Sequence, residues 1–179
     1  ARDYHPVNLD SMSDADLDAI TAKHQVTVFG YACDHTSVLM PLPIWLAHRL
    51  ADRLDDRDVT KELPYLLPDG KAQVTIEFHD GRPARIHTIT LVASQVSTDA
   101  VSPEQLHSDL LAGVVEPVLA KEKFRLDEGT KVYVNPEGPI VGGGPTAHSG
   151  LTGRKTGIDT YGEYARQSGT GLSGKDPMR

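Results

Sequence analysis

Residues 73–93 read QVTIEFHDGRPARIHTITLVA, and this stretch decides the fold. Residues 73–78 alternate between polar and apolar side chains, which is the period-two pattern of a half-buried β-strand. Residues 79–82 then form a turn in which Gly81 suits a backbone with positive φ. A second run, rich in β-branched residues, extends from Arg85 to Ala93. The stretch therefore predicts an antiparallel β-hairpin.

Helical patterns lie on both sides of the predicted hairpin. The first predicts an amphipathic helix that ends near Leu54, with apolar residues at helical spacing: Ile44, Leu46, Ala47, Leu50, Ala51 and Leu54. A second helix is predicted to begin where Ser102 can cap it and Pro103 can occupy its first position. Its predicted core face consists of Leu106, Leu110, Val114, Val115 and Leu119.

Two further extended runs complete the predicted fold. Val26–Ala32 is β-branched and aromatic, which predicts a buried strand in which Gly30 allows close backbone approach. Residues 131–134 predict one more strand. The resulting order of strand, helix, hairpin, helix and strand predicts the α/β class, in its α+β layer form with a sheet packed on helices.

Composition and charge restrict the class of protein. A chain of 179 residues makes one domain or two small ones. Its 25 acidic and 18 basic residues give a net charge of −7, which argues against nucleic acid as a partner. The single cysteine, Cys33, can form no internal disulfide, and we expect a reducing, cytoplasmic location. The sequence shows neither a signal-peptide core nor an apolar run that would cross a membrane.

The chain changes character twice along its length. Residues 1–24 are polar and predict a loosely attached leader with one short helical pattern, whereas residues 25–141 contain the predicted α/β unit. Residues 142–179 are rich in glycine, and we expect loops there after a domain boundary near residue 141. Residues 145–179 carry five cations and three carboxylates, a local charge of +2 within an acidic chain.

The basic loops are candidates for binding phosphate groups. Glycines beside Arg154 and Lys155 bring backbone N–H groups and two cations together, which suits a phosphate chain, although the spacing does not match a P-loop. The cluster at residues 173–177 has the same character, and both stretches can equally be ordinary loops. Lys71 by its local pattern is a surface turn lysine. His48 and His87 lack ligand-spaced partners and are predicted to be structural or exposed.

Several ordered motifs, taken together, resemble the S-adenosylmethionine synthetase family, in its middle domain and the beginning of its C-terminal domain. The match covers residues 24–179 and rests on these motifs: FGYA at 29–32, LMPLPI at 39–44, AHRL at 47–50, PYLLPDGKAQVT at 64–75, NP at 135–136, GGP at 143–145, GLTGRK at 150–155, DTYG at 159–162 and SGKDP at 173–177.

The resemblance implies an enzyme that forms S-adenosylmethionine from methionine and ATP, with release of phosphate and diphosphate. It also implies Mg²⁺ and K⁺ as cofactors and a homo-oligomer or a partner chain, with active sites between subunits. Four cations match the family's motifs and are expected to act as catalytic residues along the triphosphate: Lys71, Arg154, Lys155 and Lys175. Their charge would stabilise the leaving polyphosphate.

The same resemblance implies a set of substrate-binding positions: His24, Gln25, His148, Asp176 and Arg179. The family carries aspartate where this chain has His24 and His148, so two anions that would face the ammonium group of methionine are replaced. The family's N-terminal motif His-Pro-Asp-Lys has only a faint counterpart at residues 5–8. These departures leave an alternative, a non-catalytic relative that binds nucleotide or polyphosphate or serves as an assembly subunit.

Overall fold

The computed structural model describes residues 11–19, 29–144, 147, 149–150 and 157–166, and a long hairpin lies at its centre. Strand β1 (Leu66–His79) pairs antiparallel with strand β2 (Arg82–Gln95). The turn residues Asp80 and Gly81 have φ values of 51° and 75°. Two successive positive φ angles form the type I′ turn that matches the twist of paired strands. The predicted hairpin is confirmed, with strands longer than the alternating pattern indicated.

The second edge of β2 carries two short parallel strands. Strand β3 (Lys131–Val134) pairs with residues 88–91 of β2, and strand β4 (Ile140–Val141) pairs with residues 94–95. The sheet is therefore mixed, with β2 between β1 and the two short strands. The predicted strand at residues 131–134 is confirmed, whereas sequence patterns missed β4.

The helices begin and end largely where the sequence predicted. Helix α1 (Asp14–Asp18) is short, and helix α2 (Leu42–Leu54) buries one leucine on each turn. The short helix α3 (Arg57–Glu62) is capped by the carboxylate of Asp56, which accepts a hydrogen bond from a backbone N–H at 2.9 Å. Helix α4 (Pro103–Leu110) begins as predicted, because Ser102 Oγ accepts the Gln105 N–H at 3.2 Å.

A π-helical turn at residues 111–115 joins α4 to helix α5 (Glu116–Leu119). Pro117 lies within α5, and it has no N–H to donate to the carbonyl of Gly113, four residues earlier. Its ring also crowds that carbonyl, and the wider π turn relieves the crowding. Arg53 Nε on α2 donates to Gly113 O instead, at 3.1 Å. This side-chain hydrogen bond joins α2 to the π turn.

The core lies between one face of the sheet and the helices. On β1, Val74 is buried, whereas its neighbours Gln73 and Thr75 are exposed on the opposite face. This arrangement confirms the predicted class, a sheet packed on helices in α+β form. Fully buried apolar side chains in this core include Leu42, Leu46, Leu50, Val59, Ile86, Ile89, Leu91, Leu110, Val114 and Val115.

The predicted strand at residues 26–32 is wrong for the residues that the structure describes. Residues 29–32 have no strand conformation, and Phe29 is 45% exposed. A Cβ added to Gly30 would meet no heavy atom within 4 Å, so the predicted close backbone approach is absent there. An aromatic, β-branched run needs an edge to pair with, and no strand in the described part of the chain pairs with this one.

Arg85 ties the hairpin to the loop before β3. Its guanidinium donates to Asp127 through Nε at 2.9 Å and Nη2 at 2.8 Å, and its Nη1 donates to Glu77 at 3.0 Å. The hydrogen bonds from Arg85 hold the pKa of Asp127 well below its usual value. The pKa of Glu77 is also lowered, first by its hydrogen bond with His79 and then by Arg85.

The remaining sequence predictions about the fold concern histidines and membrane spans. His87 is exposed, as predicted, and its ring contacts the hydroxyl of Thr88 at 2.7 Å. His48 is half-buried on α2. None of the helices within the described ranges has the length and apolar character needed to cross a membrane.

Candidate functional site

A bulge in β1 shapes the surroundings of Lys71. Leu67 pairs with Ser94 and Lys71 pairs with Val92, so residues 68–70 lie opposite Ala93 alone. The extra residues interrupt the ladder and redirect the strand, as bulges beside functional sites often do. Asp69, within the bulge, has a φ of 90°, an unusual conformation for a residue with a side chain.

Two contacts hold this bulge against the rest of the domain. A Cβ on Gly70 would lie 3.1 Å from Leu54 Cδ1 and 3.4 Å from the carbonyl oxygen of Val92, so glycine allows the bulge to rest on the end of α2. On the other side, Ser94 Oγ donates to the carbonyl oxygen of Asp69 at 3.2 Å. The backbone that precedes Lys71 is therefore fixed by packing and by a hydrogen bond from a buried serine.

Lys71 is the predicted site residue that the structure describes, and its side chain is exposed. No carboxylate within the described ranges lies in ion-pair distance of its ammonium group. An ammonium group on a fixed backbone, with no internal counter-ion among these residues, can bind a phosphate as a point charge. An ordinary surface lysine would have the same surroundings, so the anion-binding role of Lys71 stays a prediction.

The glycine-rich stretch begins directly on the Lys71 bulge. The N–H of Gly144 donates to Asp69 Oδ2 at 3.3 Å. A Cβ on Gly143 would lie 2.6 Å from Ser94 Oγ and 2.7 Å from the carbonyl oxygen of Pro68, so the two backbones touch without space for a side chain. We call residues 142–144 the glycine linker. The glycine linker precedes Arg154 and Lys155 in sequence, and its last residue, Gly144, is anchored beside Lys71.

A cluster of aromatic rings joins three segments that are far apart in sequence. Tyr164 stacks on Phe78 at 5.2 Å between ring centroids, and His35 and Tyr31 meet the edge of its ring at 5.2 Å and 5.8 Å. Partial burial and the hydrogen bond with Tyr164 both raise the pKa of Tyr31. Aromatic pairs in these geometries add stability beyond the area that they bury.

This aromatic cluster also fixes the DTYG motif at residues 159–162. A Cβ on Gly162, which has a φ of 71°, would lie 2.9 Å from Ile44 Cβ, so the motif packs closely on the first turns of α2. Its N–H donates to the carbonyl of Gly157 at 2.8 Å. Residues 157–166 separate the two basic clusters in sequence, and the connecting segment is thus anchored to the domain core.

The other predicted site residues fall outside the ranges that the structure describes. These are the predicted catalytic cations Arg154, Lys155 and Lys175 and the predicted substrate-binding residues His24, Gln25, His148, Asp176 and Arg179. Their roles stay predictions. The structure does describe Gly157 and Gly150, which flank the first basic cluster in sequence.

A metal site cannot be built from the described residues alone. No three His, Cys, Asp or Glu side chains among them converge as metal ligands. The Asp69 carboxylate accepts the Gly144 N–H through one of its oxygens. The residues described here do not fit a protein-held cation, and the expected Mg²⁺ and K⁺ stay predictions.

Sequence reasoning assigned no structural role to two sets of residues that shape this region. Asn135 lies between β3 and β4 and bonds to the buried end of β2. The ring contacts of Tyr164 and Phe78 were not foreseen either. The available signal for Asn135 was an asparagine directly after a strand and before a proline, where a positive φ is tolerated.

Comparisons with known proteins agree with the motifs. Residues 19–140 match the family profile described as S-adenosylmethionine synthetase, central domain, and residues 142–179 match that of its C-terminal domain. Proteins named S-adenosylmethionine synthase are similar to this chain: those of Thermosynechococcus vestitus and Picosynechococcus sp. are 48% and 46% identical over 176 residues, 95% of this chain. The chain spans 42% of the length of these two relatives.

Proposed function

Because this chain belongs to the S-adenosylmethionine synthetase family, we propose that it contributes the polyphosphate-binding side of a methionine adenosyltransferase site. The reaction would form S-adenosylmethionine from methionine and ATP and release phosphate and diphosphate. The observation that supports this most is the contact between Gly144 and Asp69, because it joins the start of the C-terminal-type stretch to the Lys71 bulge of the central one.

The chemistry of the reaction explains why cations are needed at this place. A neutral thioether becomes a sulfonium when its sulfur attacks the ribose C5′, and the leaving polyphosphate carries several negative charges. Cations held in advance along that chain stabilise the transition state more than the ground state. We propose this role for Lys71, whose preceding backbone is fixed by the bulge contacts, and for Arg154, Lys155 and Lys175. The family implies a need for metal ions, and we propose Mg²⁺ and K⁺.

The proposed enzyme requires partners that the described residues do not provide. We propose ATP and methionine as substrates and a homo-oligomer or partner chain that completes the site, in a cytoplasmic location. The sheet face that points away from the helices supports association, because Tyr133 there is 44% exposed beside a row of polar residues. We also propose residues 25–141 and 142–179 as the functional units, with residues 1–24 as a leader or a remnant of the N-terminal domain.

One observation favours a second candidate function. His24 and His148 stand where the family has aspartate, and imidazoles do not offer the fixed negative charge that attracts an ammonium group. A relative with these changes could bind nucleotide or polyphosphate without converting methionine. It could also serve as an assembly subunit.

Product formation by the chain, purified in its native assembly with any partner chain, tests the enzyme proposal. ATP, methionine, Mg²⁺ and K⁺ are supplied, and S-adenosylmethionine is measured by mass spectrometry together with released phosphate. We expect Lys71→Ala to abolish product formation and Lys131→Ala, at an exposed lysine on β3 of the same sheet, to leave it unchanged. Polyphosphate binding that depends on Lys71 without any product would establish the second candidate. Neither product nor binding would overturn both.

A further inference from the structure

A gap in the hydrogen bonding of β2 is closed by a side chain. Strand β3 pairs with β2 up to Leu91, and β4 pairs with it from Ser94 onward. Between them, the backbone of Ala93 bonds to Asn135, the residue after β3. Ala93 N donates to Asn135 Oδ1 at 2.8 Å, and Asn135 Nδ2 donates to Ala93 O at 2.9 Å.

The carboxamide of Asn135 takes the place of a peptide group in the sheet. It offers one acceptor and one donor to a single residue, as a neighbouring strand would. Its own N–H donates to the carbonyl of Leu91 at 3.0 Å, which ends β3. The side chain is 9% exposed, so an apolar replacement would leave two buried backbone groups of Ala93 without partners.

The backbone of Asn135 then turns the chain back toward β2. Its φ is 42°, a left-handed conformation that asparagine tolerates better than most residues with a side chain. Its carbonyl accepts the N–H of Gly138 at 2.9 Å, which closes the turn before β4. Asn135 therefore sets where β4 meets β2, and the glycine linker follows β4 directly.

The position of the glycine linker depends on this register. Gly142 N donates to the carbonyl of Gln95 at 3.4 Å, and Gly144 reaches Asp69 in the bulge that precedes Lys71. A shift of one residue in β4 would move the N–H groups of Gly142 and Gly144 away from their acceptors on Gln95 and Asp69. The contact between the linker and the Lys71 bulge thus requires the alignment that Asn135 provides.

We propose that Asn135 is a positioning residue of the polyphosphate site: its carboxamide aligns β4 so that the glycine linker docks on the Lys71 bulge. This inference rests on the proposed function for the ligand that the site takes. The docking of the glycine linker on the Lys71 bulge does not depend on the proposed function, because it follows from the contacts between these residues. Asn135 acts through the backbone and touches no phosphate itself.

Asn135→Gly is the appropriate variant, because glycine keeps the positive φ and removes only the carboxamide. Tripolyphosphate affinity is measured by calorimetry, and amide exchange of residues 138–144 is followed by mass spectrometry. We expect affinity to fall by up to roughly tenfold, since displacing Lys71 can cost no more than removing its charge-assisted hydrogen bond. We expect exchange of residues 138–144 to become roughly tenfold faster, as local opening becomes easier.

Val59→Ala is the control, because Val59 is 1% exposed in α3 and its loss destabilises the core without touching β4. It should lower the melting temperature and leave affinity and the exchange of residues 138–144 unchanged. If Asn135→Gly behaves like this control in both measurements, the positioning role is wrong. If the natural chain does not bind tripolyphosphate, the proposed function fails. The exchange data then decide separately whether Asn135 aligns the linker.

Discussion

Replacing Gly143 with alanine tests the docking of the glycine linker directly. The new Cβ would lie 2.6 Å from Ser94 Oγ and 2.7 Å from the carbonyl oxygen of Pro68. Real Cβ atoms do not keep distances under 3.0 Å, so either the bulge or the linker must move. Because one contact is a backbone oxygen in the bulge beside Lys71, a side-chain rotation cannot relieve the overlap completely.

The structure sets limits on the size of this effect. If the linker simply leaves the bulge, the molecule loses the hydrogen bond from Gly144 to Asp69, which is worth about 1 kcal/mol. If the linker stays and the bulge yields, the overlap costs about 1 to 3 kcal/mol, as extra methyl groups in packed regions do. We therefore expect Gly143→Ala to lower the free energy of unfolding by about 1 to 3 kcal/mol.

Urea unfolding followed by circular dichroism measures this loss, with Gly142→Ala as the matched control. Gly142 has a φ of 76° and no heavy atom within 4 Å of an added Cβ, so alanine there costs backbone strain alone. Adding Ser94→Gly removes the serine atoms from the overlap but also the hydrogen bond to the carbonyl of Asp69, so each double variant is compared with Ser94→Gly alone. Against that reference, Gly143→Ala should recover part of its loss and Gly142→Ala should recover none. Equal recovery in both backgrounds, or none in either, would refute the docking.

Three further predictions concern other parts of the chain. The hydrogen bonds from Arg85 lower the pKa of Asp127. The stabilisation of the fold by this carboxylate is therefore complete above the unfolded pKa near 4 and is lost as the pH falls below it. Asp127→Asn should lower the melting temperature at pH 7 and have progressively less effect from pH 4 to pH 2. Arg53→Met should cost about 1 to 2 kcal/mol in urea unfolding, because it removes the donor to the π-turn carbonyl and the donor to Asp56. An unchanged midpoint would contradict this. Combined His24→Asp and His148→Asp substitutions should strengthen methionine binding in calorimetry, because they restore two negative charges. The natural chain should bind methionine more weakly at pH 6 than at pH 8, since imidazoles gain positive charge at the lower pH. Equal methionine affinities of the two proteins at both pH values would exclude both histidines from the site.

Local patterns in the sequence were enough to predict most of the core. The alternation at residues 73–78 and the turn at Gly81 identified the hairpin, because period and turn chemistry are properties of the chain itself. Ser102 and the leucine spacing located the helices for the same reason. The motif match also singled out Lys71, and the structure places it on an anchored, exposed bulge.

The features that sequence patterns missed depend on contacts between distant residues. Strand β4 has only two residues and exists because β2 offers a free edge beside Asn135. The run at residues 29–32 looks like a strand but pairs with no strand in the described chain, and its Tyr31 ring packs on Tyr164 instead. The donor that satisfies the Gly113 carbonyl in the π turn similarly comes from a distant residue, Arg53 on another helix. No local pattern contains such information.

Binding of inorganic tripolyphosphate to the natural chain and to Lys71→Ala tests the central claim most directly. Calorimetry should show tighter binding of tripolyphosphate than of AMP by the natural chain, because each added phosphate offers more charge-assisted hydrogen bonds to the cations. Lys71→Ala should weaken tripolyphosphate binding by roughly tenfold, since a charge-assisted hydrogen bond contributes about 1.5 kcal/mol or more. Lys131→Ala should have no effect. Equal affinities for AMP and tripolyphosphate, or a Lys71→Ala variant that binds like the natural chain, would contradict a polyphosphate site at this bulge.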